Sequence, residues 1–350
     1  LIEAHGFRGV SIVAIHSKEY ARVLVTAKYL CNNSTFNTYF IKRPGQLYLN
    51  TWHGTPLKTM GRRISNQPWS IGNTQRNLLM ADYQLYPNRH TFDVFLRDYM
   101  LSKYYENNYV LGGYPCNAVF YDEGLRSRVR DELGLEGKKV VVYMPTWRSA
   151  PSGPSRQKHS RMSDFILMNL EDRLSDDVVL FAKPHYYSRG VTLEGWKHVR
   201  TFPSELETYE LLCAADVLVT DYSSVMFDFL NANKPIILLD YDRDEYFQTR
   251  GSYLDLDELP FQRTKDSYEL AELINAVQPD SFGGYAELKE RFAPFDSAHA
   301  AKEGCHLLLD GDFSGYEVIE GSAYHNDKKN VLIFAGALQM NGITTSLEGL

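Results

Sequence analysis

Short apolar runs that alternate with helical segments constrain the fold of this chain more than any other feature. Three of them are VVVYM at 140–144, VVLFA at 178–182 and VLVT at 217–220, and a further run, PIILL, follows at 235–239. Continuous apolar runs of this length are typical of strands that are buried on both faces of a sheet. Strands that alternate with helices predict a parallel, doubly wound α/β sheet.

The length and charge of the chain narrow the possible functions. Its 350 residues, of which 44% are hydrophobic, are enough for two domains with buried cores. The net charge of −7 and the lack of a long basic tract argue against a nucleic acid as the main partner. No apolar run reaches the ~18 residues that a membrane span needs, so we expect no membrane-spanning helix.

The cysteines and acidic residues give no sign of a metal site. The four cysteines are far apart and lack zinc-ligand spacing: Cys31, Cys116, Cys213 and Cys305. We interpret them as reduced thiols of a cytoplasmic protein. No acidic cluster has metal-ligand spacing either. The sequence identifies no certain cofactor, and it leaves a requirement for a divalent metal open.

The order of the segments predicts an α/β protein with two Rossmann-like domains that face each other across a cleft. A polar helix over EGLRSRVRDELGLEGK marks their boundary, with an N-terminal domain at 1–125 and a C-terminal domain at 126–305. The polar stretch 306–329 is typical of a linker. Residues 330–350 contain one strand and one helix start, which cannot bury their own faces, so we expect the start of a truncated further domain there.

One polar motif, LNTWHGTPLKTMGRR at 49–63, follows an apolar run that is typical of a buried strand. The strand is predicted to end at His53, and Gly54 and Thr55 form a tight turn whose N–H groups can face a ligand. Pro56 suits the first turn of a following helix. An imidazole would then lie at the carboxyl end of a strand and beside a helix N-terminus, where ligands and anions bind. A core histidine beneath a basic helix is the alternative for this motif taken alone.

Polar groups follow four of the predicted strands: TWHGT at 51–55, MPTWR at 144–148, KPH at 183–185 and DYSS at 221–224. Together they predict a site for a phosphorylated ligand. Arg148 is suited to a bidentate phosphate contact and Lys183 to a point charge. Ser223 and Ser224 are expected at the opening of a helix, where hydroxyl and N–H groups bind phosphate. An N-cap is the alternative interpretation of Ser223.

Two histidines are candidates for proton transfer. His53 and His185 are expected in different domains, on opposite sides of the cleft. A histidine can take a proton from an alcohol or hold charge on a leaving phosphate near neutral pH. The chain has no GxxxxGK(S/T) loop and no GxSxG elbow, which argues against a P-loop kinase and against a serine hydrolase.

Four motifs resemble the CDP-glycerol glycerophosphotransferase family, whose enzymes prime and polymerise wall teichoic acids and related capsule polymers: LNTWHGTPLKTMG, YMPTWR, KPH and TDYSSVMFDF. The resemblance covers roughly Tyr29 to Ala300. It implies a GT-B-type fold and transfer of glycerol phosphate from CDP-glycerol to a lipid-linked polyol-phosphate acceptor, with release of CMP. It also implies a cytoplasmic protein that is peripheral on the inner face of the cell membrane.

For the N-terminal domain, the resemblance implies the acceptor side of the reaction. His53 would be the general base on the acceptor hydroxyl. The other residues of this motif that would contact substrate are Trp52, Gly54, Thr55 and Pro56.

For the C-terminal domain, the resemblance implies the binding site of the CDP-polyol donor. His185 and Lys183 would contact the donor's phosphates. The site would be lined by Thr146, Trp147 and Arg148. The pyrophosphate or glycerol portion would be held by Ser223, Ser224 and Asp228. Where similar proteins read GYPRND, this chain has GYPCNA at 113–118, which removes an arginine that could contact phosphate.

Other functions fit the same sequence. Transfer of ribitol phosphate from CDP-ribitol is the nearest alternative. A nucleotide-sugar glycosyltransferase or epimerase of GT-B architecture is another, because a fold alone does not decide the reaction. A catalytically inactive scaffold that binds nucleotide or anionic polymer is a third. The tail from Asn330, with AGALQMNGITTSL, is similar to the opening of a GT-B glycosyltransferase domain.

Overall fold

The structure is a computed structural model that describes residues 6–64, 71–146, 154–183 and 193–324. It divides the chain into two compact units. The five-stranded unit comprises Gly9–Pro115 and the chain from Pro294 onward. The six-stranded unit comprises Cys116–Ala293 together with the residues before Gly9. The chain therefore leaves the first unit at Cys116 and returns to it at Pro294.

Strands and helices alternate through most of the described chain. The strands are β1 (Tyr29–Asn32), β2 (Leu47–Asn50), β3 (Tyr83–Tyr86), β4 (Asn108–Leu111), β5 (Lys139–Tyr143), β6 (Val178–Ala182), β7 (Val199–Thr201), β8 (Val217–Thr220), β9 (Ile236–Leu239), β10 (Gln262–Thr264) and β11 (Glu317–Glu320). The α-helices are α1 (Lys18–Thr26), α2 (Gly72–Met80), α3 (Arg89–Asp98), α4 (Glu123–Glu132), α5 (Pro154–Arg173), α6 (Thr208–Ala214), α7 (Val225–Asp228), α8 (Arg243–Arg250), α9 (Ser267–Ala276), α10 (Ala286–Phe292) and α11 (Ala300–Asp310). Short 3-10 helices lie at Gly61–Arg63, Leu101–Lys103, Pro115–Tyr121, Phe229–Ala232, Leu256–Glu258, Pro279–Ser281 and Gly321–Tyr324. Within these described ranges, no helix has the length and apolar character that crossing a membrane requires.

The five-stranded sheet has the order β1-β2-β3-β4-β11. Its first four strands pair in parallel, and β11 runs antiparallel beside β4. Apolar clusters form on both faces. Tyr48 of β2 packs with Leu24 of α1, whereas its neighbour Leu49 packs with Leu307 of α11. Since successive residues of a strand point to opposite faces, α1 and α11 cover opposite sides of this sheet.

The return of the chain to the five-stranded unit differs from the sequence-based expectation. Residues 306–329, predicted as a linker, contain the end of α11 and the strand β11. The sequence of β11, EVIE, lies at the sheet edge with mostly exposed side chains, so it carries no apolar pattern that would predict a strand. Gly112 makes room for this return, because a Cβ there would lie 2.2 Å from the ring of Tyr316. Residues 330–350 lie outside the described residues.

The six-stranded sheet is entirely parallel, with the order β10-β9-β8-β5-β6-β7. The chain enters the sheet at β5, adds β6 and β7 on one side, and then crosses to β8, β9 and β10 on the other. The strand order therefore reverses between β5 and β8, and such a switch point is where open α/β sheets bind ligands. The predicted doubly wound parallel sheet is confirmed.

A buried ion-pair cluster joins α4 to the amino ends of the two central strands. Asp216, directly before β8, is 7% exposed, and its carboxylate pairs with Arg126 at 2.5 Å and Arg130 at 3.0 Å. The same carboxylate accepts a hydrogen bond of 2.8 Å from the N–H group of Val140 in β5. A buried charge is tolerated only when it is paired and hydrogen-bonded in this way. Asp216 therefore fixes α4 against the sheet.

We expect Asp216→Ala to lower the free energy of unfolding of the six-stranded unit by about 3 kcal/mol or more, because two guanidinium groups lose their buried partner. Urea unfolding of the variant and of the unaltered protein measures this difference. Asp176→Ala is the matched control, because Asp176 is highly exposed and pairs with Lys197 at the surface. An equal effect of the two substitutions would contradict the role given to Asp216.

Candidate active site

The ring of His53 is held in one tautomer at the carboxyl edge of the five-stranded sheet. His53 follows β2, and its Nδ1 lies 2.6 Å from the carbonyl oxygen of Asn33, which follows β1. A carbonyl oxygen only accepts hydrogen bonds, so Nδ1 carries the hydrogen of the neutral ring. The lone pair then lies on Nε2. His53 is exposed, and a neutral Nε2 is chemically able to accept a proton; that it takes one from a substrate hydroxyl group stays a prediction.

The backbone beside His53 adopts an unusual conformation. Trp52 has a φ of 55°, in the left-handed region that bulky residues rarely occupy. Its ring stacks on the imidazole of His53, with centroids 4.3 Å apart, and it makes a T-shaped contact with the ring of Phe95. Residues in such conformations are typical of functional sites, where surrounding contacts hold them in place. The contact of Trp52 with substrate stays a prediction.

The predicted helix after His53 is wrong. No helix begins at Pro56, and the next helical residues are the 3-10 helix Gly61–Arg63. The N–H group of Gly54, predicted to face a ligand, instead donates to the hydroxyl oxygen of Tyr114 at 3.3 Å in a buried contact. A helix N-terminus therefore does not contribute to anion binding at this turn.

Contacts with the start of α3 explain why residues 55–56 stay extended. Thr55 is 2% exposed, and its hydroxyl oxygen accepts a hydrogen bond of 2.8 Å from the side chain of Asn88. The carbonyl oxygen of Pro56 accepts one of 2.8 Å from Nε2 of His90. These tertiary hydrogen bonds replace the intrahelical ones that a helix would offer. Thr55 and Pro56 are buried, so their contribution to the site in this structure is to hold the turn.

In the six-stranded unit, predicted site residues flank the switch point between β5 and β8. Thr146 lies three residues after β5, and Ser223 and Ser224 follow β8. The buried carboxylate of Asp221 connects the two loops, because its Oδ1 accepts hydrogen bonds from the N–H groups of Thr146 at 2.7 Å and Tyr222 at 2.5 Å. The structure thus joins the loop of Thr146 to Asp221, two residues before the serine turn, and a shared binding site of these residues stays a prediction.

The serine turn opens a helix of only four residues, α7. Ser224 occupies the N-cap position but makes no side-chain capping hydrogen bond. The hydroxyl oxygen of Ser223 accepts from the N–H group of Val225 at 3.4 Å, which is long for a hydrogen bond. Both serines are half-buried. Capping therefore accounts poorly for the two hydroxyl groups, and the assignment of Ser223 and Ser224 to a ligand stays a prediction.

Lys183 directly follows β6, the neighbour of β5 in the sheet. Its Nζ donates a hydrogen bond to the hydroxyl oxygen of Thr208 and lies 4.9 Å from the centre of the Phe202 ring. Partial burial lowers the pKa of the Lys183 amine from its ordinary value, and the carboxylate of Glu207 opposes this effect. The side chain is thus held at the carboxyl edge on the β6 side of the switch point.

Asp228 is buried and bound by two side chains. It is 4% exposed, its Oδ1 accepts a hydrogen bond of 3.2 Å from Asn117, and its Oδ2 accepts one of 2.9 Å from the hydroxyl group of Tyr209. Burial and the nearby carboxylate raise the pKa of the Tyr209 phenol well above its ordinary value, so this hydroxyl stays a donor. In this structure Asp228 anchors α7 to its surroundings. Its contact with substrate stays a prediction.

Three predicted residues, Trp147, Arg148 and His185, lie outside the described residues, and their roles stay predictions. Sequence reasoning missed the residues that hold the predicted ones in place, namely Asn33, Asn88, Tyr114, Asn117, Tyr209 and Asp221. Asp221 stands within the DYSS motif, and Tyr114 and Asn117 stand within the GYPCNA stretch at 113–118. Asn33, Asn88 and Tyr209 lie in segments where no motif marks them. In the described ranges, no three His, Cys, Asp or Glu side chains gather as they would around a metal ion.

We expect Tyr209→Phe to lower the free energy of unfolding by about 1–3 kcal/mol, because the buried carboxylate of Asp228 loses a donor while the ring volume is kept. Thermal or urea unfolding measures the change. Tyr268→Phe is the matched control, since Tyr268 lies on the surface of α9. A Tyr209→Phe variant as stable as the control would show that the hydroxyl does not support Asp228.

The fold and the site together define a class. Two Rossmann-like units, each built on a mainly parallel sheet with polar side chains at its carboxyl edge, give an α/β protein of GT-B-like fold. The sequence profile of the family "CDP-Glycerol:Poly(glycerophosphate) glycerophosphotransferase" matches residues 5–309. The chain belongs to this family, as the four motifs predict.

Proteins of similar sequence support the same assignment. A teichoic acid poly(glycerol phosphate) polymerase of Staphylococcus epidermidis is 31% identical over 309 residues, which make up 82% of this chain and 42% of that protein. A teichoic acid glycerol-phosphate transferase of Staphylococcus aureus is 29% identical over 319 residues, or 86% of this chain and 80% of that protein. This chain thus spans less than half the length of the first relative and most of the second.

A solved structure shares the fold. The wall teichoic acid polymerase TagF superimposes with a TM-score of 0.71 at 28% sequence identity, and the match covers 85% of this chain and 76% of the TagF chain. The similarity in fold extends over most of both chains, and the expected GT-B-type fold class is confirmed for this chain.

Proposed function

We propose that this chain transfers glycerol phosphate from CDP-glycerol to the terminal hydroxyl group of a lipid-linked teichoic acid or capsule polymer and releases CMP. Membership of the family supports the donor and the reaction class. The observation that carries the proposal is the hydrogen bond between His53 Nδ1 and the Asn33 carbonyl oxygen, because it leaves Nε2 as a proton acceptor. A base that takes the proton of an attacking alcohol typically accelerates such a transfer by roughly 100- to 10,000-fold.

The chemistry then follows from the residues. The acceptor oxygen attacks the β-phosphorus of CDP-glycerol, and its proton passes to Nε2 of His53. The bond from the β-phosphorus to the bridging oxygen breaks, and CMP leaves with the electron pair. Such phosphoryl transfers depend mainly on positioning and on stabilisation of charge. His53 would remove the proton at the moment when the attacking oxygen becomes acidic.

The donor's phosphates would be bound at the switch point of the six-stranded sheet. Lys183 supplies a positive charge on one side, and Ser223 and Ser224 supply hydroxyl groups after β8. His185, Arg148 and Trp147 are proposed to complete this set, with Thr146 in the same loop. The acceptor would reach the protein at the inner face of the cell membrane, so we propose peripheral attachment there.

The first experiment measures CMP release by the purified protein from CDP-glycerol, with and without a lipid acceptor that ends in glycerol phosphate. CDP-ribitol and UDP-sugars are offered in parallel. We expect release that depends on the acceptor and on CDP-glycerol. Turnover of CDP-ribitol alone would reassign the polyol, and release of UDP alone would replace the proposal by a nucleotide-sugar transferase. Binding of CDP-glycerol without any turnover would favour a scaffold.

We expect His53→Ala to reduce turnover of the CDP-polyol by about 100-fold or more, since removal of a general base typically costs two to four orders of magnitude. His306→Ala is the matched control. His306 is exposed on α11 of the same unit and pairs with Asp310 four residues later. Both variants should unfold at the temperature of the unaltered protein. Near-normal turnover of His53→Ala would remove His53 from the mechanism.

A further inference from the structure

Asn50, the last residue of β2, is a buried polar side chain close to His53. It is 1% exposed. Its Nδ2 donates hydrogen bonds to the carbonyl oxygen of Ser34 at 2.8 Å and to the hydroxyl oxygen of Tyr48 at 2.9 Å. Its Oδ1 accepts a hydrogen bond of 3.1 Å from the N–H group of Trp52. Both hydrogens of the amide and its oxygen are therefore in use.

The orientation of this amide follows from its partners. The N–H group of Trp52 is a donor and must meet the oxygen, whereas the carbonyl oxygen of Ser34 is an acceptor and must meet the nitrogen. The opposite orientation would leave both contacts repulsive. Asparagine satisfies this pair of requirements, and aspartate does not, because it has no N–H group.

Asn50 binds the backbone of two residues that are sequence neighbours of the two partners in the His53 hydrogen bond. Ser34 follows Asn33, whose carbonyl oxygen accepts from Nδ1, and Trp52 precedes His53 itself. The contact with Trp52 is a local turn in which a side chain binds the backbone two residues later. It holds the chain where Trp52 takes its left-handed conformation. One side chain thus connects the imidazole to its acceptor.

We propose that Asn50 is the positioning residue that sets the tautomer and the ring orientation of His53. It fixes the carbonyl oxygen of Asn33 at 2.6 Å from Nδ1, and this contact keeps the hydrogen off Nε2. The catalytic consequence rests on the proposed function, because it takes His53 as the base. The effect of Asn50 on the tautomer of His53 does not depend on the proposed function. Without Asn50, the neutral ring can carry its hydrogen on Nε2, and that form cannot accept a proton from the acceptor.

Asn50→Asp tests the proposal with a side chain of nearly the same shape. Its Oδ1 still accepts from Trp52, while its second oxygen faces the carbonyl oxygen of Ser34 and repels it. Asn50→Ser is the second variant, since a hydroxyl group can bind the Trp52 backbone but is too short to reach Ser34. If thermal unfolding shows that Asn50→Asp does not fold, the proposal is tested on Asn50→Ser instead.

Asn77→Asp is the matched control. Asn77, in α2 of the same unit, is fully buried, and its side chain binds the backbone of Phe36, in the same loop after β1 that carries Asn33 and Ser34. The hydrogen bonds of Asn77 in the described chain do not include the backbone groups of Ser34 and Trp52 that Asn50 binds. The control therefore removes a buried amide from the same loop but keeps the hydrogen bonds that Asn50 makes beside His53.

The first readout is NMR of the protein labelled with heavy nitrogen in its histidine rings, at a pH where the imidazoles are neutral. The signals of His53 are assigned by their absence in His53→Ala. We expect hydrogen on Nδ1 in the unaltered protein and in Asn77→Asp, and hydrogen partly or wholly on Nε2 in the Asn50 variants. Hydrogen on Nε2 in the unaltered protein, or an unchanged tautomer in folded Asn50 variants, would overturn the proposal.

The second readout is turnover. We expect kcat of the Asn50 variants to fall roughly 10- to 100-fold, as misplacement of a catalytic group does, while KM for CDP-glycerol stays within about twofold. Asn77→Asp should change neither. Unchanged kcat in a variant with an altered tautomer would also overturn the positioning role. If the unaltered protein turns over no donor, the proposed function fails, and the NMR result still decides whether Asn50 sets the tautomer.

Discussion

The parallel pairing of strands is the constraint on which the rest of the structure depends. Strands that run in the same direction end at the same edge of their sheet, so the residues that follow them are brought together. In the five-stranded unit this edge gathers Asn33, His53 and Asn88 from the ends of three strands. In the six-stranded unit it gathers Thr146 and the serine turn on the two sides of the switch point.

Buried polar side chains give this edge its rigidity. A polar group that is removed from water destabilises the fold unless it finds a partner, and in a low-dielectric interior each satisfied pair resists displacement. Asn50, Asp221 and Asp228 are all almost inaccessible to solvent, and each binds groups on a different loop. Buried hydrogen bonds therefore hold the loops of the exposed His53 and the half-buried Ser223 in place. Fixed positions of this kind suit a reaction that depends on the placement of its reacting groups.

Apolar pattern and motif order predict much of this architecture. The runs at 140–144, 178–182 and 217–220 become β5, β6 and β8, because a strand buried on both faces needs a continuous apolar sequence. The helix expected at Pro56 does not form, since Asn88 and His90 bind the extended backbone there. Strand β11 has no apolar pattern, because an edge strand with exposed side chains needs none.

By itself, the sequence determined the α/β class, the family and the motif residues at the strand ends, because these depend on local periodicity and on residue type. Only the tertiary structure decided which groups those residues meet. Asn33 lies 20 residues from His53, Asp221 lies 75 from Thr146, and Asn117 lies 111 from Asp228. Such contacts depend on which strands are neighbours in a sheet, and the pattern of a single segment does not carry that information. The tautomer of His53 is therefore a property of the fold.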